Sequence, residues 1–425
     1  MSASTSPTAN GQPGDDPANA AGEAPVSEVF ERTIEHYLAP VLQYLRDPSV
    51  AEVMINKFDE VFIEKSGKMH RVDARFADPE AYEAAINNVL QFTGRSLSDR
   101  DMLVDARLPD GSRVHVAKSP CSRLGMATTI RRFSPMMLDV DWLVELGTLT
   151  QPAKEYLAIA VRGEQNVLVA GGTSSGKTSL LNALSAFIPK GERIVTIEDS
   201  AELQLQQDHM ISLEAKAADR LGQGAVGIRE LFRSSLRLRP DRIIIGEVRG
   251  GEALDMIQAM TSGHGGSMGT LHANSTLDAL NRLETMALMS EVELPLSALR
   301  SQISSAIDLV VHLSRQIGGQ RVVTQISEVQ PPSDAGQYVL RDIFRLEPDA
   351  EGSKSMKLRP TGLATALMGL PRLKHPERLH PVTREVLGLD HPPEAQTGGP
   401  PASPPSADEA GGAAETGQVG ENGGA

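Results

Sequence analysis

The chain has 425 residues, 40% of them hydrophobic and 23% charged, with a formal net charge of −14 and a single cysteine, Cys121. That length allows two or three domains with real cores, while one cysteine excludes an intrachain disulfide and a tetracysteine zinc site and fits a reducing compartment. Residues 1–27 contain three acids and no base, and residues 391–425 five acids and no base, which leaves −6 on the body; such a field disfavours broad, nonspecific binding of nucleic acid.

The first twenty residues lack a basic start and an apolar stretch, so no secretory leader is expected. No run of about 20 apolar residues occurs, so no membrane span is expected. Segments 1–26 and 391–425 are rich in Ala, Gly, Pro and Ser and contain no aromatic residue. They cannot bury enough surface to offset the entropy of ordering and are expected to be disordered.

From Val29, apolar residues recur at three- and four-residue spacing through Phe30, Ile34, Tyr37, Leu38, Val41, Leu42 and Leu45, which predicts a helix ending before Pro48. AEVMIN and EVFIEKSG predict two strands around a turn, 79–92 a helix, and GSRVHVAKSP and MATTIRRF two further strands. Residues 27–133 are thus expected to form a small α+β domain. Residues 134–152, with Pro near both ends, read as a connector. Beyond it, NVLVA (166–170), RIVTIE (193–198), RIIIGE (242–247), SMGTLHA (267–273) and LVVHL (309–313) are short β-rich runs. Helical stretches such as TSLLNALSAFI and ALDMIQAMTS lie between them. This alternation predicts an α/β motor domain over 153–365, with a mainly parallel sheet covered by helices, followed by an extension over 366–390.

Four groups of residues carry chemistry. Gly171-Gly172-Thr173-Ser174-Ser175-Gly176-Lys177-Thr178 fits G-x-x-x-x-G-K-[ST] between a predicted strand and a predicted helix. Backbone N–H groups of such a loop can surround a polyphosphate, and Lys177 is expected to reach its β/γ-phosphates and the Thr178 hydroxyl to ligand Mg²⁺. A chance Gly/Ser-rich turn is the competing reading. Next, Ile243-Ile244-Ile245-Gly246-Glu247 is a buried strand ending in a carboxylate suited to polarising a water; Gly246 stands where an Asp is usual in such strands. Third, Glu198 and Asp199 close the strand after the loop helix. There, acids bind Mg²⁺ through water, orient a nucleophile, or merely cap a helix or loop. Fourth, His264 and His272 flank a Gly-rich stretch opening a strand. They suggest a γ-phosphate sensor, although spacing alone does not separate that role from a structural one. Zinc is not expected, since no third and fourth ligands cluster with them.

GGTSSGKTS, VTIEDSAELQL, LRPDRIIIGEVRGGEALDMIQAM and TSGHGGSMGTLHANS resemble the Walker A, Asp box, Walker B and His box of the type II/type IV secretion ATPases. Within that superfamily, VAEVMINKFDEVFIEKSGK, MLVDARLPDGSRVHV, TTIRRF and SSAIDLVVHLSRQIGGQRVVTQISEV are similar to the tight-adherence (Tad, Flp-type) pilus ATPases of the CpaF/TadA kind. The likeness is strong over about 28–346 and fades through 385. The conjugation-type branch is the runner-up.

The resemblance implies a RecA-like P-loop NTPase domain preceded by a PAS-like α+β domain, with ATP and Mg²⁺ as cofactors. It also implies a cytoplasmic homo-hexamer recruited to polytopic inner-membrane platform proteins, with no nucleic acid as partner. By the same resemblance, Lys177, Glu198, Glu247 and His272 act in catalysis. The nucleotide contacts run from Gly171 to Ser179 and include His264 and Arg249. Arg113 and either Arg131 or Arg132 are donated by the amino-terminal domain, and Arg249 and Glu252 couple the nucleotide to neighbouring subunits. Gly265 and Gly269 stand where relatives often carry acidic or hydroxyl residues. A nucleic-acid translocase would need a basic pore or stacking aromatics, and only 4% of residues are aromatic. A nucleotide-binding scaffold without turnover is the other rival class.

Overall fold

The computed structural model describes residues 26–65, 67–98, 101–133, 139–216, 218, 223–349, 355–367 and 378–389. The expected tails, apart from Val26, lie outside the described residues, as do 368–377 and 390 of the expected extension.

The amino-terminal part runs α1 (Val26–Tyr37), α2 (Leu42–Arg46), β1 (Val50–Lys57), β2 (Glu60–Lys65), β3 (Lys68–Val72), α3 (Pro79–Gln91), β4 (Leu103–Arg107), β5 (Arg113–Ala117) and β6 (Ala127–Arg131). The single helix expected through Leu45 is two. Pro40 has no N–H to continue the ladder, and the chain turns over 38–41. The strands form an antiparallel sheet in the order β3-β2-β1-β6-β5-β4. Alternation sets one face against the helices: Val53, Ile55, Val114, Val116 and Ile130 pack with Phe30, Tyr82, Ile86 and Leu90. Asp78 caps α3 by accepting from the Ala81 N–H at 2.7 Å, with Pro79 at the first helical position.

The remainder runs α4 (Val140–Glu145), α5 (Gln151–Arg162), β7 (Val167–Gly171), α6 (Lys177–Ser185), β8 (Ile194–Glu198), β9 (Met210–Glu214), α7 (Ile228–Ser235), β10 (Arg242–Ile245), α8 (Glu252–Thr261), β11 (Met268–His272), α9 (Thr276–Leu288), α10 (Leu296–Ala306), β12 (Leu309–Arg315), β13 (Arg321–Gln330), β14 (Val339–Pro348), β15 (Met356–Pro360) and α11 (Pro381–Val386). The sheet order is β15-β14-β13-β12-β7-β11-β10-β8-β9. From β12 to β9 every pairing is parallel, whereas β12 to β15 form an antiparallel meander of which the sequence marked β12, as LVVHL, but not β13 to β15. Successive residues of β7 feed opposite faces. Val167 and Val169 join a core with α5 and α6, and Leu168 and Ala170 join one with α8, α9 and α10. Helices on both faces explain why β7, β8 and β10 are apolar runs without polar alternation.

The segment read as a connector is more than that. Over 139–152 it contains α4, whose Val140 and Leu143 are buried in the same core as Leu149 and Tyr156. At the other end, the wholly buried Glu328 accepts from Tyr156 (2.7 Å), Thr365 (2.5 Å) and the Ala366 N–H (2.9 Å), which ties the extension to the sheet.

Candidate functional site

Because β7, β8, β10 and β11 are parallel, their carboxyl ends meet at one edge of the sheet, where open α/β sheets hold ligands. β11 lies between β7 and β10, and so sets His272 between the loop after β7 and the carboxylate after β10. Gly171 ends β7, residues 172–176 form the loop, and Lys177 opens α6. Two residues of that loop are left-handed: Ser174 at φ 56° and Gly176 at φ 98°. The second is where glycine is required. A Cβ on Gly171 would lie 2.4 Å from the Leu313 carbonyl and 2.6 Å from Ser175 Oγ, so close strand approach fixes that glycine too. Gly172 and Thr173 are exposed, and Thr178 and Ser179 lie half-buried at the start of α6.

The Lys177 ammonium donates to the carbonyls of Gly171 (3.2 Å) and Gly172 (3.0 Å) and lies 3.4 Å from His272 Nε2. Burial lowers its pKa, opposed by the Glu247 charge. His272 Nε2 is also 3.0 Å from Glu247 Oε1. One nitrogen cannot serve both neighbours: protonated it donates to Glu247, unprotonated it accepts from Lys177. Burial, then the Lys177 charge, lowers the His272 pKa. Glu247 Oε2 accepts from Arg249 Nη2 at 2.8 Å. Burial works to raise the Glu247 carboxyl, but Arg249, His272 and Lys177 together bring it below the ordinary value. Arg249 Nη1 reaches Asp199 Oδ2 at 3.3 Å. Glu252 is buried and accepts from the N–H groups of Arg249 (2.7 Å) and Gly250 (2.8 Å), setting the turn that aims Arg249.

Glu198 is 3% exposed; its Oε1 accepts from the N–H groups of Glu202 (2.8 Å) and Leu203 (2.9 Å), and its Oε2 is buried without a partner. Burial raises its pKa. Here Gly246 finds its reason: a Cβ there would sit 2.9 Å from Glu198 Cγ. The missing Asp before Glu247 leaves the space that the Glu198 side chain fills from the neighbouring strand.

Two expectations need correction. His264 precedes β11 and lies at its amino end, beside Ser267, Gly265 and the Glu164 backbone, on the edge opposite the loop. A strand rises about 3.3 Å per residue, so the pair His264 and His272 cannot read one phosphate within a chain, and only His272 joins Lys177. Arg132 is the second: it borders the cleft, but its guanidinium is engaged by its own part of the chain. Its Nη1 donates to the carbonyls of Asp47 (2.6 Å) and Val50 (2.8 Å) and so holds the turn between α2 and β1. Neighbours along extended chain point opposite ways, and it is Arg131 that faces Glu202, at 3.7 Å, beside Arg113 at 3.1 Å. Arg113 also donates to the Ser200 carbonyl at 2.5 Å.

These arginines and Arg132 line a cleft of about 630 Å³ between the two sheets, whose other wall includes Thr178, Ser179, Asn182 and Arg321. Arg321 was missed by sequence reasoning. The sequence shows only that it follows Gly318-Gly319 at a turn; nothing in it places that turn against the loop. The donor set fits a phosphate chain, with a helix N-terminus, a buried ammonium and clustered arginines. Ser175 Oγ and Glu198 Oε2 are buried at the site without hydrogen-bond partners. Among the described residues no group of three His, Cys, Asp or Glu side chains is placed to cage a metal. Thr178 and Glu198 suit Mg²⁺ instead, which takes one or two protein oxygens and completes its shell with water and phosphate; Asp199 points to Arg249.

The description "Type II/IV secretion system protein" matches residues 35–345. The chain belongs to that family. Type IV secretion system protein PtlH of Bordetella pertussis is 33% identical over 315 residues, covering 68% of this chain and 92% of PtlH. Conjugal transfer protein TrbB of Rhizobium radiobacter is 34% identical over 282 residues, covering 65% of this chain and 83% of TrbB. A solved structure of the pilus retraction motor PilT with bound ADP is similar in fold, with TM-score 0.50 and 20% identity over 70% of this chain and 83% of that one.

Proposed function

We propose that this family member binds ATP with Mg²⁺ in the cleft and hydrolyses it to ADP and phosphate. The observation that carries this reading is the meeting of Lys177, His272, Glu247 and Arg249 within 3.4 Å of one another in sequence of contact, at the end of the phosphate loop. Mg²⁺, when bound through Thr178 and Glu198, supplies charge neutralisation at the outer phosphates. Loop N–H groups and Lys177 hold the polyphosphate. Glu247, kept ionised by its neighbours, orients and polarises the attacking water. A weak base suffices there because phosphoryl transfer depends on positioning and charge more than on proton abstraction. Arg113 and Arg131, which hold Glu202, exchange that carboxylate for the outer phosphates as the two parts close.

Among the described residues no helix is long and apolar enough to cross a membrane. We infer a cytoplasmic ring, a homo-hexamer, acting on polytopic platform proteins at the inner membrane. The tight-adherence pilus is the system proposed, on the motifs quoted above. The names of PtlH and TrbB favour the conjugation-type alternative. Nucleic acid is not proposed as a partner.

Lys177→Ala should abolish nucleotide binding and turnover together, whereas Glu247→Gln should retain binding and lose most turnover, because the base acts after the substrate is in place. Equilibrium binding of labelled ATP and phosphate release measured on both variants check this, and wild-type turnover in Glu247→Gln removes that residue from the mechanism.

A further inference from the structure

The hairpin of β12 and β13 runs past the end of β7 and lies against the phosphate loop. Leu313 pairs with Gly171 across the sheet, and its carbonyl closes on that glycine. At the mouth of the hairpin, Arg321 Nε donates to the Ser174 carbonyl at 3.0 Å. Its stem covers Gly176, with Cδ 3.3 Å from where a Cβ would stand. So one side chain bonds Ser174 and occupies the space beside Gly176, the two left-handed residues of the loop.

We propose that Arg321 is a positioning residue for nucleotide binding, acting through the Ser174 carbonyl; this rests on the phosphate-site reading above. The C=O and N–H of a trans peptide point opposite ways. Fixing the Ser174 oxygen against Arg321 therefore turns the Ser175 N–H the other way, where it donates to the Gly172 carbonyl at 3.4 Å, a long bond within the loop that a phosphate oxygen would replace. A non-glycine residue at positive φ is costly unless its surroundings hold it, and the Arg321 bond supplies that hold. With it, the loop's inward N–H groups are preset for a phosphate; without it, nucleotide must order the loop on binding.

The test separates the bond from the charge. Glutamine carries an N–H donor the same number of bonds from the backbone as Nε of arginine but has no charge, while lysine keeps the charge with its nitrogen one bond further out. Arg321→Ala and Arg321→Lys should each weaken ADP and ATP alike by about 10-fold, the size of a lost charge-assisted hydrogen bond. Arg321→Gln should stay within about 3-fold of wild type by the same reckoning. The loss should appear in KM, with kcat at saturation little changed, and the melting temperature should not move with it. Labelled-ADP titration, steady-state kinetics and thermal melts on the full chain read these outcomes. If Arg321→Ala fails to fold, the Gln and Lys variants carry the comparison. Binding restored by Lys but not by Gln, or an effect on ATP alone, overturns the positioning role in favour of direct charge on the outer phosphate. Wild-type affinity in Arg321→Ala overturns it outright. A wild-type chain that binds no nucleotide overturns the phosphate-site reading instead, and this proposal falls with it.

Discussion

At the scale of the residue, the site is built by contacts between strands that share no local sequence. Gly246 is the clearest instance, because its lack of a side chain serves Glu198, 48 positions earlier. Gly246→Ala should displace the Glu198 carboxylate and lower phosphate release by more than about 10-fold, with an overpacking cost of about 1–3 kcal/mol. Turnover equal to wild type would show that the Glu198 position is immaterial. Titration gives a second handle. His312 is buried on β12, with Nδ1 2.5 Å from Thr324 Oγ1, and burial lowers its pKa from 6.5. The unfolded chain then takes up this proton first as pH falls, so stability drops from pH 6.5 downward until the folded value is passed. His312→Asn should lose less stability than wild type between about pH 7.5 and about pH 5.5, measured by denaturant melts at each pH. Parallel losses in the two proteins would place the acid sensitivity elsewhere.

At the scale of the element, the strands and helices that bear motifs were legible because their signals are local. NVLVA followed by a Gly-rich loop is β7 and the phosphate loop, and IVTIE and RIII are β8 and β10. The meander of β13 to β15 was not legible. Arg321–Gln330 alternates poorly, since both faces of β13 are largely buried, and its register is set by pairing across the sheet. Likewise β3 is exposed along nearly its whole length and carries no apolar alternation to mark it. His264 was misplaced because eight residues in sequence say nothing of strand direction, and Arg132 because the motif does not reveal which of two arginines faces across the cleft. β5 and β6 pair Arg113 directly with Arg131, and both reach Glu202, whereas Arg132 is engaged by the Asp47 and Val50 carbonyls. An Arg113→Ala, Arg131→Ala double variant should therefore lose roughly 10- to 150-fold in kcat/KM, as expected for about 1.5–3 kcal/mol of charge-assisted bonding, while Arg132→Ala should chiefly lower the melting temperature by freeing the turn after α2. Unchanged kinetics in the double variant would sink the clamp.

At the scale of the whole molecule, the two sheets meet through ion pairs and polar contacts. Arg107 reaches both carboxylate oxygens of Glu214 at 3.1–3.2 Å. Arg113 holds Glu202 and the Ser200 carbonyl, and Arg315 pairs with Glu64 at 3.3 Å and donates to the Gly67 carbonyl. Part-exposed pairs of this kind are individually weak, which suits the closure around nucleotide proposed above. The physical boundary of the second body is set by its core, and α4 belongs to that core through Val140 and Leu143. A chain begun at Asp139 should accordingly unfold cooperatively and keep nucleotide binding through the loop and Lys177. One begun at Thr150 should melt at lower temperature, having lost Val140 and Leu143 from the core they share with α5 and α6, each apolar side chain being worth about 1.5–3 kcal/mol when fully buried. Both lack Arg113 and Arg131, so both should turn over ATP far more slowly than the full chain even where binding persists. Thermal melts, labelled-ADP titration and phosphate release on the three lengths separate these effects. A chain begun at Asp139 that is as active as the full length would mean that the amino-terminal arginines take no part in the reaction, and equal melting temperatures for the two short chains would mean that α4 is only a connector.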